Sequence, residues 1–275
     1  MAKKQTFEDY VAKLLNEMDG SPPFEKAEQK FNYILSAAVT TVQDSTVFSN
    51  LLAKLAEIEP NYLPGKNSLL YAEPIQDLQV KRKPFESALH KAYRSDVLFN
   101  RKYPDEPEGG WKTFEGFFSS IDDLLRTRII CKYMDGPKFV CDELKQYFDS
   151  EGVKNTIRDL ASDEGYYGWH FYFDVPILTD FGGNIEERPI SVELQFQTQL
   201  SEAITHLTHG LYEQRREAGP GKPKSWKWNP ESQEFRSAFV GHGLHLLEGL
   251  ILQFRDESFE NGGAVEGDQN SGRGR

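Results

Sequence analysis

Three short segments of the chain, at 81–94, 122–128 and 193–197, place charged or polar side chains on a predicted strand or at its edge. The third segment alternates between polar and apolar residues, so Glu193 shares one strand face with Gln195 and Gln197. The side chains that could do chemistry in the three segments are Lys81, Lys83, Ser87, Lys91, Asp123, Arg128, Glu193, Gln195 and Gln197. Fixed cations neutralise phosphate oxygens, and separated carboxylates hold a hard divalent ion. The combination predicts polyphosphate and magnesium chemistry.

Each segment taken alone is also typical of a solvated charged face or of a salt bridge at a strand edge. Their occurrence together on one small sheet is what favours a functional site. The interpretation depends on two residues, Asp123 and Glu193, because only converging carboxylates beside the lysine-rich segment make a pocket for magnesium and a triphosphate.

Helical and strand periodicities alternate along the chain and predict the elements that position these residues. Apolar spacing indicates two or three helices before residue 65. Strands are predicted at 78–83, 126–133, 165–178 and 190–198. Later helices are predicted at 84–92, 137–148, 200–216 and 231–254. The interleaving predicts an α/β or α+β fold with a mixed sheet of about five strands flanked by helices.

The same pattern divides the chain into four parts. Residues 1–65 form a helical N-terminal extension, and residues 70–218 form the core that carries the polar segments. A C-terminal helix at 229–256 is expected to pack on that core. The tail at 257–275, rich in Gly, Asn, Asp and Ser, is expected to be disordered.

The composition excludes several classes of function. Acidic residues outnumber basic ones by 43 to 32 for a net charge of -11, so any contact with nucleic acid must be local. The most apolar stretch, Leu244 to Phe254, is too short to span a membrane, and the N-terminus lacks the character of a signal peptide. Cys131 and Cys141 lie among apolar neighbours, which indicates two buried thiols and a cytoplasmic location.

Five segments in order resemble signatures of the synthetase domain of the RelA/SpoT family, which includes the small alarmone synthetases. The matching stretches are Lys83 to Lys91, Asp123 to Arg128, Gly165 to His170, Val192 to Thr198 and His209 to Tyr212. One such motif is weak, whereas five in order are specific. The resemblance implies a nucleotidyltransferase-like core. It also implies an enzyme that transfers an intact pyrophosphate group from ATP to a ribose 3′-hydroxyl.

The resemblance further implies roles for individual residues. ATP is expected to be bound by Lys81, Lys83, Ser87, Lys91 and Arg128. The acceptor is expected to be bound by Tyr166, His170, Gln195, Gln197 and His209. Asp123 and Glu193 are expected to bind Mg²⁺, and Glu193 also to take the proton of the attacking hydroxyl.

The chain departs from the family's pattern at several positions. Lys81 stands where the family usually has an arginine. Because lysine has no planar guanidinium to stack on adenine, Arg128 is expected to make the main contact with adenine unless Arg82 takes that role. Two acids, at 163 and 164, replace the usual lysine and asparagine, and Gln197 replaces the usual arginine. These changes weaken recognition of a free, highly charged nucleotide. The pattern is similar to that of toxic small synthetases that act on the 3′-terminal adenosine of tRNA.

The sequence therefore favours tRNA slightly as the acceptor, with GDP or GTP as the close alternative. Lysines interleaved with Trp226 and Trp228 fit either an RNA partner or a loop that closes the core. A neutralising antitoxin protein and a homo-oligomer are further partners that the resemblance leaves open, and no membrane partner is expected. A non-catalytic nucleotide-binding regulator of the same fold is the alternative from another class.

Two histidine pairs at one-turn spacing, at 206–209 and 242–245, have a geometry that can bind zinc. Gly241 and Gly243, beside the second pair, indicate close helix packing equally well. Because His209 already belongs to a family motif, a metal site is the weaker interpretation.

Overall fold

The computed structural model describes residues 4–63, 70–75, 78–181, 184–205 and 224–268. Three helices come first, α1 (Phe7–Glu17), α2 (Phe24–Gln43) and α3 (Thr46–Tyr62). The strands are β1 (Lys81–Arg82), β2 (Leu125–Cys131), β3 (Asn155–Ala161), β4 (Tyr167–Phe181) and β5 (Asn184–Thr198). The helices between them are α4 (Phe85–Tyr93), which a π turn at Arg94–Leu98 continues, α5 (Phe117–Ser120) and α6 (Gly136–Ser150). After the sheet come α7, described over 199–205, a 3₁₀ turn at Lys224–Trp228 and α8 (Gln233–Asp268).

The five strands form one mixed sheet in the order β1-β2-β5-β4-β3. Strands β2 and β5 run parallel, and the other neighbouring pairs are antiparallel. Helix α6 lies between β2 and β3 in the chain and packs on one face of the sheet. The predicted fold class, a mixed sheet of about five strands flanked by helices, is confirmed.

Local sequence explains where the helices begin. The hydroxyl of Thr6 accepts a hydrogen bond of 3.1 Å from the backbone of Asp9 at the start of α1. The hydroxyl of Ser45 accepts one of 3.1 Å from the backbone of Phe48 at the start of α3. Pro84, whose ring presets the backbone, immediately precedes α4. Pro84 therefore starts α4 directly after β1, at the edge of the sheet.

The sheet separates an apolar core from a polar face. Along β5, Val192, Leu194 and Phe196 are completely buried in the core, and the polar residues between them point to the opposite face. Phe148 of α6 covers the apolar side, with its ring 5.3 and 5.1 Å from the rings of Phe171 and Phe173. A strand with one face packed and one face polar is well suited to carry a site, because the core holds the polar side chains in place.

Three elements differ from the prediction. Strand β1 is only two residues long, and β3, which the sequence pattern does not indicate, completes the sheet at its far edge. Helix α8 extends to Asp268, well past the predicted end of the C-terminal helix at 256. The rest of the predicted helix at 200–216 and the end of the predicted tail, 269–275, lie outside the described residues. Among the residues that are described, no helix combines the length and apolar character needed to cross a bilayer.

Candidate active site

The polar face of the sheet forms the floor of a cleft with a volume of about 670 Å³. Helix α4 lines one side of the cleft, and α7 and α8 line the other. The predicted site residues that line it are Lys83, Ser87, Lys91, Asp123, Arg128, Tyr166, His170, Glu193, Gln195 and Gln197. The fold thus gathers side chains from four separate stretches of the chain at one place.

Strand register explains why these side chains meet. Glu193 of β5 lies opposite Arg126 of β2 on one side and opposite Tyr172 of β4 on the other. Gln195 is flanked in the same way by Arg128 and His170. Because side chains directly across a sheet share a face, the pairings build two polar rows across the floor of the cleft.

One half of the cleft holds an ionic cluster made of Lys83, Lys91, Asp122, Asp123 and Arg158. The Nζ atom of Lys83 lies 2.7 Å from Oδ2 of Asp123, and that of Lys91 lies 2.9 Å from Oδ1 of the same carboxylate. Lys91 also contacts Asp122 at 2.5 Å, and Arg158 contacts Asp122 at 2.5 Å. The two aspartates therefore hold three cations in fixed positions beside the cleft.

Burial and charge act in opposite directions within the ionic cluster. Burial by itself raises the pKa of the Asp123 carboxyl, but Lys83 and Lys91 outweigh burial and hold that pKa well below its usual range. The pKa of Asp122 is lowered in the same way by Lys91 and Arg158. Burial lowers the pKa of the Lys83 ammonium, and the ion pair with Asp123 opposes that shift. Both carboxylates are therefore ionised at neutral pH.

The other half of the cleft holds a hydrogen-bonded network, the Glu193 network, made of Glu193, His170, Tyr172, Tyr166, Gln195 and Gln197. Nδ1 of His170 and the hydroxyl of Tyr172 lie 2.8 and 2.7 Å from Oε1 of Glu193. The amide nitrogen of Gln195 donates to Oε2 of Glu193 at 2.8 Å. Three donors from three neighbouring positions on the sheet therefore orient this buried carboxylate.

Two of these donors, His170 and Tyr172, also lower the pKa of Glu193. Burial raises its pKa, and the nearby Asp123 charge acts in the same direction, but the hydrogen bonds from His170 and Tyr172 outweigh both. The pKa of Glu193 therefore lies below its ordinary value. Asp123 and Glu193 both line the cleft, and the charge of Asp123 acts on Glu193.

Helix α8 comes close to the half of the cleft that holds the Glu193 network because of two glycines. Gly165, with a φ of 82°, sits in the turn before β4, where a side chain would be strained. A Cβ atom at Gly165 would lie 2.8 Å from the carbonyl oxygen of Ala238, and one at Gly241 would collide with the carbonyl oxygen of Gly165. The absence of side chains at both positions therefore lets α8 pack against the turn.

The histidines of α8 stabilise this packing. His242 bonds the hydroxyl of Tyr167 at 2.7 Å and the carbonyl oxygen of Asp163 at 3.1 Å, and His245 stacks on the Tyr167 ring at 3.6 Å. No group of three metal-ligating side chains occurs in the described part of the chain, so a zinc site at 242–245 is not supported. The other histidine pair, at 206–209, which includes the predicted acceptor residue His209, lies outside the described residues.

Two basic residues of β1 are not among those that line the cleft. Lys81, predicted to bind ATP, is exposed and lies opposite Arg126, a cleft residue, in the pairing of β1 with β2. Arg82, the possible substitute, donates to the carbonyl oxygen of Asn32 at 3.0 Å and to the hydroxyl of Ser36 on α2. Its guanidinium is therefore tied to the N-terminal helices.

Three residues without a predicted role belong to the site. Arg126 lines the cleft two positions before Arg128, which strand alternation could have shown. Tyr172 follows His170 at the same spacing and donates to Glu193. Arg158 lies on β3, with its guanidinium 4.5 Å from the centre of the Tyr172 ring. Arg158 contacts Asp122 of the ionic cluster and Tyr172 of the Glu193 network, so it joins the two halves of the cleft. The sequence pattern does not indicate β3, and so it did not indicate a role for Arg158.

The described part of the Lys/Trp segment, residues 224–228, contacts the turn that precedes β4. The ring of Trp228 is 91% exposed, so it does not close the core. Lys227 lies 2.9 Å from the carboxylate of Asp163 and 5.6 Å from the centre of the Trp226 ring. Lys222 of this segment falls outside the described residues.

Comparison with solved structures defines the class of fold. The chain matches small alarmone synthetase 1 from Bacillus subtilis with a TM-score of 0.53 and 19% identity, covering 84% of this chain and 99% of that chain. A GTP pyrophosphokinase family protein from Streptococcus pneumoniae also matches with a TM-score of 0.53 and 19% identity, covering 84% of this chain and 96% of that chain. The Bacillus subtilis enzyme bound to its product pppGpp matches with a TM-score of 0.51 and 19% identity, covering 83% and 96% of the two chains.

The chain therefore has the fold of the small alarmone synthetases, as the resemblance to RelA/SpoT synthetase domains predicts. No protein-family model and no curated protein sequence matches it. At this level of identity the likeness establishes the fold, and the activity must be argued from the residues of the cleft.

Proposed function

We propose that this chain is an ATP-dependent pyrophosphokinase that transfers pyrophosphate to a ribose 3′-hydroxyl. The observation that carries the proposal is a lysine-rich ionic cluster in the same cleft as a buried carboxylate oriented by three donors. The fold shared with small alarmone synthetases supports the same reaction class.

The half of the cleft with the ionic cluster suits the triphosphate of ATP. Lys83 and Lys91 stand on the α4 side, and Arg126 and Arg128 project from β2 into the same space. Ser87, one helical turn before Lys91, adds a hydroxyl donor. Phosphoryl-transfer enzymes work mainly by positioning phosphates and neutralising their charge, and fixed cations do both. We assign the ATP phosphates to this half.

Asp123 and Glu193 fit a magnesium ion. Carboxylates are the hard oxygen donors that Mg²⁺ prefers, and both groups have a pKa below the ordinary value. Two ionised carboxylates that line one cleft repel each other, and a divalent cation held by them would relieve that repulsion. When bound, the ion would help to neutralise the charge of the phosphates.

Glu193 is the group that we assign to take the proton from the acceptor. The 3′-hydroxyl oxygen forms a bond to the β-phosphorus of ATP, the bond from that phosphorus to the α-phosphate oxygen breaks, and AMP leaves. The hydroxyl proton passes to the Glu193 carboxylate. Both ring nitrogens of His170 are already engaged, at 2.8 Å from Glu193 and 2.9 Å from Tyr166. We therefore propose that His170 positions Glu193 and does not contact the acceptor phosphate.

For the acceptor we propose the 3′-terminal adenosine of tRNA. Glu164 lines the cleft, so a free di- or triphosphate would bring like charge to this acidic residue. The exposed Trp228 offers a stacking surface for the rest of a polymer. Binding shared between the cleft and this surface reduces the need for phosphate contacts at the acceptor itself.

The second candidate acceptor is GDP or GTP, because the Bacillus subtilis enzyme of the same fold was solved with its product pppGpp. A non-catalytic regulator is less well supported, since nucleotide binding alone does not require a carboxylate oriented by three donors. A neutralising protein or a second copy of the chain, if either binds, would find exposed apolar side chains on α8. These are Phe239, Val240, Leu246, Leu247, Leu250, Ile251 and Phe254.

The test uses the purified protein, Mg²⁺ and ATP labelled in its β-phosphate, with deacylated tRNA, GDP or GTP supplied separately. We expect label to appear in tRNA. Label that appears only in GDP or GTP would show that the acceptor is a guanosine nucleotide and not tRNA. ATP binding without transfer to any acceptor would favour the regulator.

The matched variant is Glu193→Gln, which keeps the shape of the side chain and removes its basicity. We expect transfer to fall by about 1000-fold, the usual contribution of a general base, with the Kd for ATP unchanged within about two-fold. Unchanged turnover would remove Glu193 from the chemistry.

A further inference from the structure

The Glu193 network runs from the carboxylate through His170 and Tyr166 to Gln197. An ionised carboxylate only accepts, so Nδ1 of His170 donates to Glu193 at 2.8 Å. The other ring nitrogen, Nε2, lies 2.9 Å from the hydroxyl of Tyr166. The Tyr166 oxygen accepts in turn from the amide nitrogen of Gln197 at 2.8 Å.

The hydrogen bond to Tyr166 orients the side chain of Gln197. Its NH₂ group faces Tyr166, so its carbonyl oxygen, Oε1, is directed away from that hydroxyl. Gln197 is only 1% exposed, and no donor to its Oε1 occurs in the described part of the chain. Buried acceptors without a donor are rare because the lost hydrogen bond to water is not replaced. Since Gln197 also lines the cleft, the missing donor can come from a ligand.

We propose that Gln197 is a specificity-determining residue whose Oε1 accepts a hydrogen bond from an N–H group of the acceptor's base. The inference rests on the proposed function, because it assigns the acceptor to this half of the cleft. It deepens that function by naming the chemistry that the subsite reads, an uncharged donor-bearing edge of a purine. Tyr166, whose hydroxyl contacts the same amide, borders the subsite and fits a base placed there.

The same geometry excludes a phosphate group at this point. A phosphate that is fully ionised offers only acceptors, and an acceptor facing the Gln197 carbonyl oxygen is repelled. The acidic side chain of Glu164, which also lines the cleft, acts in the same direction. The amino group of adenine satisfies Oε1, and so does the amino or ring N–H of guanine. Unsubstituted purine, which has no N–H on its six-membered ring, does not.

The experiment compares acceptors that differ only in this donor. One pair is an RNA oligonucleotide ending in adenosine against the same oligonucleotide ending in purine riboside. The other pair is GDP against purine riboside 5′-diphosphate. For the pair that the wild-type protein uses, we expect kcat/KM to fall by about ten-fold when the donor is absent, as for a buried hydrogen bond left unmade. In Gln197→Met the two acceptors of the pair should react equally within about two-fold.

The matched control is Gln195→Met, on the same strand face but bonded to Glu193, which should slow both acceptors and keep their ratio. A wild-type ratio near one, or a ten-fold ratio that survives Gln197→Met, would overturn the inference. If the wild-type protein transfers pyrophosphate to no acceptor, the proposed function fails. The same pairs, compared by equilibrium binding, then decide the inference separately, with equal affinities counting against it.

Discussion

The two halves of the cleft solve different problems with different interactions. The ionic cluster is built from opposite charges, with Lys83 and Lys91 fixed on Asp123 at 2.7 and 2.9 Å. The Glu193 network contains one carboxylate, and its other members are imidazole, hydroxyl and amide groups joined by hydrogen bonds of 2.7 to 2.9 Å. The first arrangement suits a ligand that brings several negative charges, and the second suits a hydroxyl and a base.

The difference teaches how one sheet serves two substrates. Charges act over distance and tolerate imperfect geometry, so the phosphates can be held by cations from α4 and β2. Hydrogen bonds require direction, so the acceptor side uses neighbouring residues of β4 and β5, whose register is fixed by the backbone ladder. Variants in the two halves should therefore fail in different ways.

The largest loss of stability is expected for Asp123→Asn, which breaks the ionic half. Lys83, only 6% exposed, would lose its buried partner, so the free energy of unfolding should fall by about 3 kcal/mol. The transfer rate should fall by about 100-fold because the cations lose their fixed positions. Urea unfolding and single-turnover kinetics measure the two losses.

The control for Asp123→Asn is Asp142→Asn, which breaks the exposed pair with Lys138 at 2.5 Å and should cost no more than about 0.5 kcal/mol. The pKa of Asp123 is lowered by folding, so its stabilising effect is present above the ordinary value of 3.8 and is lost as the pH falls through the folded value. The stability difference between wild type and Asp123→Asn should therefore shrink in acid. A difference that stays constant down to pH 2 would contradict the ion-pair explanation.

Much of the fold could be predicted from sequence because its main strands alternate. The alternation of β5 places Glu193, Gln195 and Gln197 on one face, and all three line the cleft. Strand β3 could not be predicted, since it is an exposed edge strand without an apolar face. The end of α8 was also missed, because its last part, with Gly262 and Gly263, has the composition of a tail.

Site residues could be predicted where their role depends on residue type alone. They could not be predicted where the role depends on which residues lie opposite each other in neighbouring strands. Asp123 and Glu193 stand out as carboxylates near strands. The role of Tyr172 requires knowing that it lies opposite Glu193, and that of Arg158 requires β3 and its contact with Asp122. For Lys81, ATP binding stays a prediction, because the residue is exposed on β1 and lies opposite the cleft residue Arg126 without itself lining the cleft.

A smaller effect that separates the two halves is expected for Gly241→Ala. The new Cβ would collide with the carbonyl oxygen of Gly165 and push α8 away from the acceptor half. We expect a loss of about 2 kcal/mol in the free energy of unfolding, typical of overpacking. The KM for the acceptor should rise while the Kd for ATP stays unchanged within about two-fold. Calorimetry, initial-rate kinetics and ATP titration check the three values.

Gly243→Ala is the matched control, because nothing lies within 4 Å of a Cβ at that position of the same helix. Replacing glycine by alanine within a helix should stabilise the protein by about 0.5–1 kcal/mol and leave the acceptor KM unchanged. Equal effects of the two substitutions would show that the close approach of α8 to Gly165 has no bearing on the acceptor half.

The smallest effect on rate is expected for Tyr172→Phe, and this variant tests directly what sets the basicity of Glu193. Its hydroxyl donates to Glu193 Oε1 at 2.7 Å and helps to hold the pKa of that carboxyl below its ordinary value of 4.5. Without this donor the pKa of Glu193 should rise. Because the base works only when it is deprotonated, the acid limb of the profile of kcat/KM against pH should move to higher pH. Above this limb the rate should fall by about five-fold, as a less well oriented base is slower.

Tyr71→Phe provides the comparison, since Tyr71 is also buried and its hydroxyl donates to the carbonyl oxygen of Leu55 at 3.0 Å, away from the cleft. This variant should lose stability, by about 1 kcal/mol, without moving the acid limb. A shift of the limb in both variants would indicate a general effect of destabilisation. A shift in neither would mean that Tyr172 does not control the basicity of Glu193, and the two halves of the cleft would then differ in composition without differing in how they support the reaction.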